Sequence, residues 1–104
     1  SGWSMDINLN LSVENNLTEI NHAVDTVNAA LKDKFKKQIK KGPQIIGIIN
    51  QTGSSITYQI HFQVIANSQS TIKNAYLSAY IKEFNQRGLK FSPMPTKQEN
   101  SSAS

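Results

Sequence analysis

The chain has 104 residues, of which 38% are apolar and none is cysteine, so we expect one small domain without disulfides or thiolate metal sites. Basic residues outnumber acidic ones by 11 to 7, a net charge of +4. The longest apolar run, 45–49, is far shorter than the roughly 20 residues that span a bilayer, which excludes a membrane helix in this sequence and predicts a soluble chain.

The chain begins without an initiator methionine, and we expect residues 1–4 to be a linker or a remnant of a longer protein. Alternating apolar and polar residues over 5–13 predict the first strand, β1. Asn16 and Glu19 then form a capping-box pattern that predicts the start of helix α1. Apolar residues spaced by three or four extend this helix to about Gln38, before a stop at Gly42 and Pro43.

Strand β2 is predicted over 43–50 and is apolar on both faces, with Ile45 and Ile49 on one and Ile46 and Ile48 on the other. A turn over 51–54 joins it as a hairpin to strand β3, predicted over 54–65. The alternation in β3 is unbroken, which predicts a sheet covered on one side only.

A second helix, α2, is predicted to follow cap candidates at 67–70 and to end at Gly88. Residues 89–91 form a short predicted strand β4, which Pro93 and Pro95 end. The domain therefore covers 5–95, and the polar tail 96–104 is predicted to be disordered. The order βαββαβ predicts an α+β, ferredoxin-like fold: a four-stranded antiparallel sheet with β1 and β3 central, β2 at an edge, and both helices on one face.

No constellation of residues indicates catalysis. The carboxylates are scattered, and neither His22 nor His61 has a second histidine or a carboxylate at ligand spacing, so we expect no enzyme, cofactor or metal site. The net positive charge is compatible with RNA binding, but the outward residues of β1 and β3 include no Phe, Tyr or Trp, so the platform on which bases stack is missing. We therefore predict no specific nucleic-acid partner.

The chain has more apolar surface than is needed to cover one face of the sheet. Strand β2 is apolar on both faces, and the apolar arc of α2 spans about half the circumference of the helix. This excess predicts association between copies of the chain. The candidate subunit contacts are Ile46, Ile48, Ile72, Tyr76, Leu77, Tyr80, Ile81 and Phe84.

Six lysines lie between positions 32 and 41, at the predicted end of α1, where the helix dipole favours cations. Such a cluster is more often a solvated helix end than a binding site. The candidate solute-facing lysines are Lys36, Lys37, Lys40 and Lys41.

Three segments between positions 7 and 95 together resemble the C-terminal cytoplasmic domain of the small-conductance mechanosensitive channel (MscS) family. They are Leu9-Asn10-Leu11-Ser12-Val13, Gly53-Ser54-Ser55-Ile56-Thr57-Tyr58, and Ile81-Lys82-Glu83-Phe84-Asn85-Gln86-Arg87-Gly88-Leu89-Lys90-Phe91 with the close Pro93-Met94-Pro95. The turn into β3 and the ending after α2 are the most specific parts of this resemblance.

The resemblance implies a homoheptameric ion channel of the plasma membrane, opened by bilayer tension during hypo-osmotic shock. Its C-terminal domains would form part of a cytoplasmic vestibule through which ions and small solutes pass. It also implies transmembrane helices N-terminal to this chain, which itself would lie at the cytoplasmic face. The alternative is a free-standing regulatory or nucleic-acid-binding α+β module.

Overall fold

Three antiparallel strands and two helices make up the computed structural model, which describes residues 2–93. The elements are β1 (Trp3–Ser12), α1 (Leu17–Leu31), β2 (Ile39–Thr52), β3 (Ser55–Val64) and α2 (Gln69–Arg87). The strand order is β1-β3-β2. The α+β class, the central place of β3 and the edge position of β2 are therefore confirmed, while the predicted tail 96–104 lies outside the described residues.

The predicted fourth strand is wrong. The segment that follows α2 pairs with β1 only through a bridge between Leu11 and Phe91, flanked by two backbone hydrogen bonds of 3.0 Å. Pro93, two residues after Phe91, has no N–H with which to continue the hydrogen bonding to β1. The sheet consequently has three strands, and not the four of the predicted ferredoxin-like sheet. The predicted central position of β1 is wrong for the same reason, since β1 lies at an edge when no fourth strand extends the sheet beyond it.

The N-terminal strand begins earlier than predicted. Trp3 pairs with Val64, so residues 3 and 4, expected to be a linker or remnant, belong to β1. Helix α1 begins as predicted, with the Asn16 side chain accepting a hydrogen bond of 3.1 Å from the backbone N–H of Glu19.

The end of α1 differs most from the prediction. The helix ends at Leu31 and not near Gln38, and residues 32–38 form turns. In these turns the carbonyl oxygen of the buried Phe35 accepts hydrogen bonds from the backbone N–H groups of Gln38 and Ile39, where β2 begins. Gly42 and Pro43, the predicted helix stop, lie inside β2, where the pairing with β3 shifts register. Phe35 packs into the core and Ile39 pairs with Val64, so tertiary contacts override the helical spacing.

The core lies between the apolar face of the sheet and the two helices. β1 and β3 contribute alternate side chains, and α1 and α2 contribute one face each. Its fully buried large side chains include Ile7, Leu9, Leu11, Ile20, Val24, Tyr58, Ile60, Phe62, Ile72, Tyr76, Tyr80 and Phe84.

Two buried tyrosines connect their elements to α1 through hydrogen bonds. The hydroxyl of Tyr58 on β3 donates to the Asn21 side chain at 2.6 Å, and the hydroxyl of Tyr80 on α2 donates to Asn28 at 2.6 Å. These bonds satisfy polar atoms that would otherwise be costly to bury. They fix α1 against both the sheet and the second helix.

Gly42 has a structural role that Gly47 lacks, although both have a positive φ, of 93° and 98°. A Cβ at Gly42 would lie 2.7 Å from the carbonyl oxygen of His61, whereas one at Gly47 would meet nothing within 4 Å. We therefore expect Gly42→Ala to lower the free energy of unfolding by about 3 kcal/mol and Gly47→Ala by about 1 kcal/mol. Urea unfolding followed by circular dichroism measures both; equal losses would contradict this steric role.

The three tyrosines of the chain should resist alkaline titration while the fold persists. Burial, with a smaller contribution from the charge of Asp25, raises the pKa of Tyr58 to about 12, and burial also raises the pKa of Tyr76 and Tyr80. An unfolded tyrosine has a pKa of about 10. Between these values the unfolded chain releases protons that the folded chain keeps, so stability should fall as pH rises from about 10 towards 12.

Absorbance at 295 nm, which reports tyrosinate, should therefore rise together with the loss of far-ultraviolet circular dichroism. Tyr58→Phe removes one of these groups and should make stability less dependent on pH in that range. A tyrosine that ionises near pH 10 with the native dichroism intact would contradict the burial of these hydroxyls.

Candidate functional site

Strand β2 has one free edge, because it pairs with β3 on one side and no strand of the described residues 2–93 lies on its other side. Its pairing is irregular. Ile45 is opposite Ile60 and Ile48 is opposite Tyr58, so both share the register of the helix-covered face, while Ile46 and Ile49 fall at register shifts.

The predicted division of β2 into two regular faces is therefore wrong, because the register shifts interrupt the period of two. Apolar side chains of β2 are nevertheless exposed to solvent. Ile46, Ile48 and Ile49 are each 46% exposed. The helices pack over β1 and β3 and against each other, and they leave most of β2 uncovered.

The apolar arc of α2 is mostly internal. Of the predicted subunit contacts on this helix, Ile72, Tyr76, Tyr80 and Phe84 are fully buried in the core of the chain itself, so their assignment to a subunit contact is wrong. The arc is wide because α2 packs against α1 as well as against the sheet. Two of the predicted contacts on α2 remain accessible to solvent: Leu77 is half-buried and Ile81 is exposed.

Of the predicted contacts, Ile46 and Ile48 on β2 and Ile81 on α2 are exposed, and the structure adds Ile49 beside the two on β2. The edge of β2 and its three exposed isoleucines together form what we call the β2 surface. An edge strand with exposed apolar residues is a template for pairing with another chain. It carries no group suited to catalysis.

The predicted basic cluster is exposed, but it does not lie at a helix end. Lys36 and Lys37 belong to the turns after α1, and Lys40 and Lys41 belong to β2. In the part of the chain that the structure describes, none of these lysines has a carboxylate oxygen within 4.0 Å. The helix-dipole explanation of these four lysines is therefore wrong, and within residues 2–93 their charge is not compensated by an ion pair.

The lysines also divide between the two sides of the sheet. Lys41 is opposite Gln63 on the face without helices and lines a cavity of about 200 Å³ with Gln44 and His61. Lys36 lines a different cavity together with Tyr76 of the core. The cluster therefore surrounds the strand edge and does not form one flat patch.

The face of the sheet without helices carries a ladder of polar pairs. Across β1 and β3, the Gln59 side chain donates to Asn8 at 3.0 Å and the Thr57 hydroxyl donates to Asn10 at 3.1 Å. These pairs give a polar surface of amides and hydroxyls, and within β1 and β3 this face carries no Phe, Tyr or Trp. Such a surface offers no platform on which nucleic-acid bases could stack.

His61 has a carboxylate neighbour that sequence spacing does not reveal. Its Nδ1 lies 2.6 Å from an oxygen of Asp6, because the register of β1 and β3 places the two residues opposite each other. This contact could be predicted only from the register of the two strands. Across residues 2–93, no group of three or more histidine, aspartate or glutamate side chains could hold a metal ion.

Arg87 joins the two helices at the far end of α2. Its guanidinium donates to Glu83 on its own helix at 2.8 Å and, on α1, to the Thr26 hydroxyl at 3.1 Å and Glu19 at 3.5 Å. This geometry gives the only arginine of the chain a structural role between helices.

Comparison with known proteins assigns no family: no family model matches this chain, and no curated protein matches it. Neither helix of residues 2–93 has the length and apolar character needed to cross a membrane.

Proposed function

We propose that this chain is a non-catalytic association domain, the C-terminal cytoplasmic domain of a channel of the MscS family. Copies of it would pack together as part of the vestibule through which ions and small solutes pass during hypo-osmotic shock. The observation that carries this proposal is the β2 surface, in which three half-exposed isoleucines lie on a free strand edge.

The element order also supports the proposal. The described chain has the order β1-α1-β2-β3-α2, and the bridge of Phe91 to Leu11 lies beside β1, where a ferredoxin-like fold has its last strand. The resemblance to the channel family is carried by the same regions, namely the turn into β3 and the segment after α2. The element order is therefore compatible with the fold that the resemblance implies, while the family itself rests on the resemblance alone.

The energetics of the β2 surface favour association that is weak for isolated copies. Burying the exposed half of one isoleucine contributes about 1 kcal/mol, so the three isoleucines give about 3 kcal/mol per copy. Backbone pairing along the edge adds to this, while the loss of rotational and translational freedom opposes it. In a channel, the membrane part would hold the copies at high effective concentration, so modest contacts would suffice.

The face without helices suits a path for hydrated solutes. Its amide and hydroxyl groups are already paired with one another across β1 and β3, as in the bond of Gln59 to Asn8. Uncompensated lysines such as Lys41 border it. A surface of this kind attracts water and anions without binding either tightly.

Sedimentation equilibrium of the chain tests the association. We expect reversible self-association in the micromolar to millimolar range, which Ile46→Thr with Ile49→Thr should weaken by at least about tenfold, since two apolar contacts are lost. Ile65→Thr is the matched control, because Ile65 is 39% exposed but lies outside β2. A chain that stays monomeric at the highest concentrations, or an equal effect of the control, would refute the role of β2.

The channel assignment has a separate test, in the natural gene that encodes this sequence. We expect apolar segments of about 20 residues upstream of Trp3, and gene-dependent survival of cells after osmotic downshock. A gene product without a membrane-spanning segment would refute the channel while leaving self-association intact.

The second candidate is a free-standing regulatory or nucleic-acid-binding module, which only the uncompensated lysines between positions 32 and 41 favour. Retention on RNA that falls steeply with salt would support it, because phosphate contacts release counterions. The lack of Phe, Tyr and Trp on this face of β1 and β3 argues against sequence-specific recognition.

A further inference from the structure

The outer edge of β1 is a second free edge of the sheet, on the side opposite to β2. The segment after α2 forms backbone hydrogen bonds of 3.0 Å to Asn10 and Ser12 on this outer side. In an antiparallel strand the N–H and C=O groups of one residue point to the same side and successive residues alternate, so the even-numbered residues of β1 point outward. Within residues 2–93, no backbone group pairs on this side with the exposed Ser4, Asp6 and Asn8.

The free part of β1 is better suited to backbone pairing than the edge of β2. β1 pairs with β3 without a register shift from Trp3 to Ser12, so its outward groups form an even row. The pairing of β2 has four register shifts, and Pro43 within this strand has no N–H. Bulges and prolines are features that protect a sheet edge from pairing. An added strand therefore finds a longer regular row of partners on β1 than on β2.

The same edge carries an exposed aromatic ring at one end and a partly apolar cavity at the other. Trp3, the only tryptophan of the chain, is 48% exposed. It pairs with the buried Val64, so its side chain lies on the helix-covered face of the sheet. The cavity has a volume of about 700 Å³, and its apolar lining residues are Leu9, Leu77, Phe91 and Pro93. Leu77 and Phe91 are only half-buried, so a side chain from another molecule can contact them.

We propose that two copies of the chain pair their β1 edges antiparallel about a two-fold axis. The segment after α2 already occupies the end of this edge near Ser12, so the free part runs over residues 2–8 with Met5 at its midpoint. An axis at Met5 places Ser4 of each copy opposite Asp6 of the other, and their outward backbone groups exchange hydrogen bonds. In this register no like charges lie directly opposite each other.

The same register brings the ring of each copy to the cavity of the other. Trp3 lies opposite Ile7 of the second copy and diagonally beside its Leu9, a separation that aromatic side chains span. Its ring can therefore pack against Leu77 and Phe91 in the cavity of the second copy. The two rings and the two strand edges bury on the order of 1,000 Å² in total, less than the roughly 1,200 Å² of a standard interface, so we expect a weak and reversible dimer.

This contact goes beyond the proposed vestibule, because it uses the opposite edge of the sheet and none of the β2 surface. A two-fold contact closes on two copies and does not extend into a ring. In a channel it would join domains of two separate rings, whereas in the isolated chain it needs no membrane part.

Tryptophan fluorescence tests the contact, since Trp3 is the single tryptophan probe in the chain. We expect its emission maximum to move to shorter wavelength as the concentration rises from about 1 µM to about 1 mM, because the ring leaves water. The double variant Ile46→Thr with Ile49→Thr should keep this shift, since it alters only β2. In that background, Trp3→Ala should weaken dimerisation by at least about tenfold in sedimentation equilibrium.

Disulfide trapping tests the register, because the chain has no cysteine of its own. Residues opposite each other in a hydrogen-bonded pair have Cα atoms about 5.5 Å apart, within the range of a disulfide. An equal mixture of the Ser4→Cys and Asp6→Cys variants should therefore yield the mixed disulfide in excess over either disulfide between identical chains, as measured by mass spectrometry. Ser4→Cys mixed with Gln59→Cys is the matched control, because Gln59 lies on the central strand and should give no excess.

Far-ultraviolet circular dichroism checks that each variant keeps the fold, which we expect because Trp3, Ser4 and Asp6 are all exposed. An emission maximum that does not change with concentration would overturn the proposal, as would mixed disulfides at only the statistical proportion. A dimer that forms only after residues 94–104 are removed would also overturn it, because the chain's own end would then be the occupant of this edge.

Discussion

The pairing of β3 between β1 and β2, with one apolar face to cover, constrains the rest of the structure. Two helices lie on that face, and they pack over β1 and β3 and against each other. Side by side, the two helices are wide enough to cover two strands but not three. Strand β2 therefore keeps apolar side chains that this chain does not bury, while α2 uses its wide apolar arc internally. The exposure of Ile46, Ile48 and Ile49 follows from the lack of helix cover over β2.

The parts of the fold that sequence could predict are those whose signals are local. Unbroken alternation specifies β1 and β3, because a one-residue slip would place every apolar side chain in water. Asn16 caps α1, and Gly88, in the left-handed conformation with a φ of 74°, ends α2. The two-residue turn of the hairpin has Gly53 with a φ of 58°. Each of these signals acts within a few residues, so no knowledge of the fold is needed to interpret it.

The parts that sequence could not predict depend on distant partners. The spacing of Leu31 and Phe35, with intervening lysines of good helix propensity, is typical of a continuing helix. The chain turns there because Phe35 enters the core and Ile39 pairs with Val64. The burial of Tyr80 likewise depends on Asn28 of α1, which offers its side-chain oxygen across the helix interface. The contact of His61 with Asp6 is equally impossible to predict without the register of β1 and β3. The same holds for the Tyr76 hydroxyl, which has no hydrogen-bond partner among residues 2–93.

Irregular pairing makes β2 the strand that carries the candidate association surface. Gly42, at a positive φ, and the register shifts that follow it rotate successive side chains away from a common face. Near the start of the strand this places Gly42 and Pro43 in the wall of the cavity with Tyr76 and two lysines. Further along, it leaves Ile46 and Ile49 without opposite residues on β3. β3 buries every apolar side chain of its covered face, whereas β2 leaves three isoleucines about half exposed, and these can contact another molecule without loss from the core.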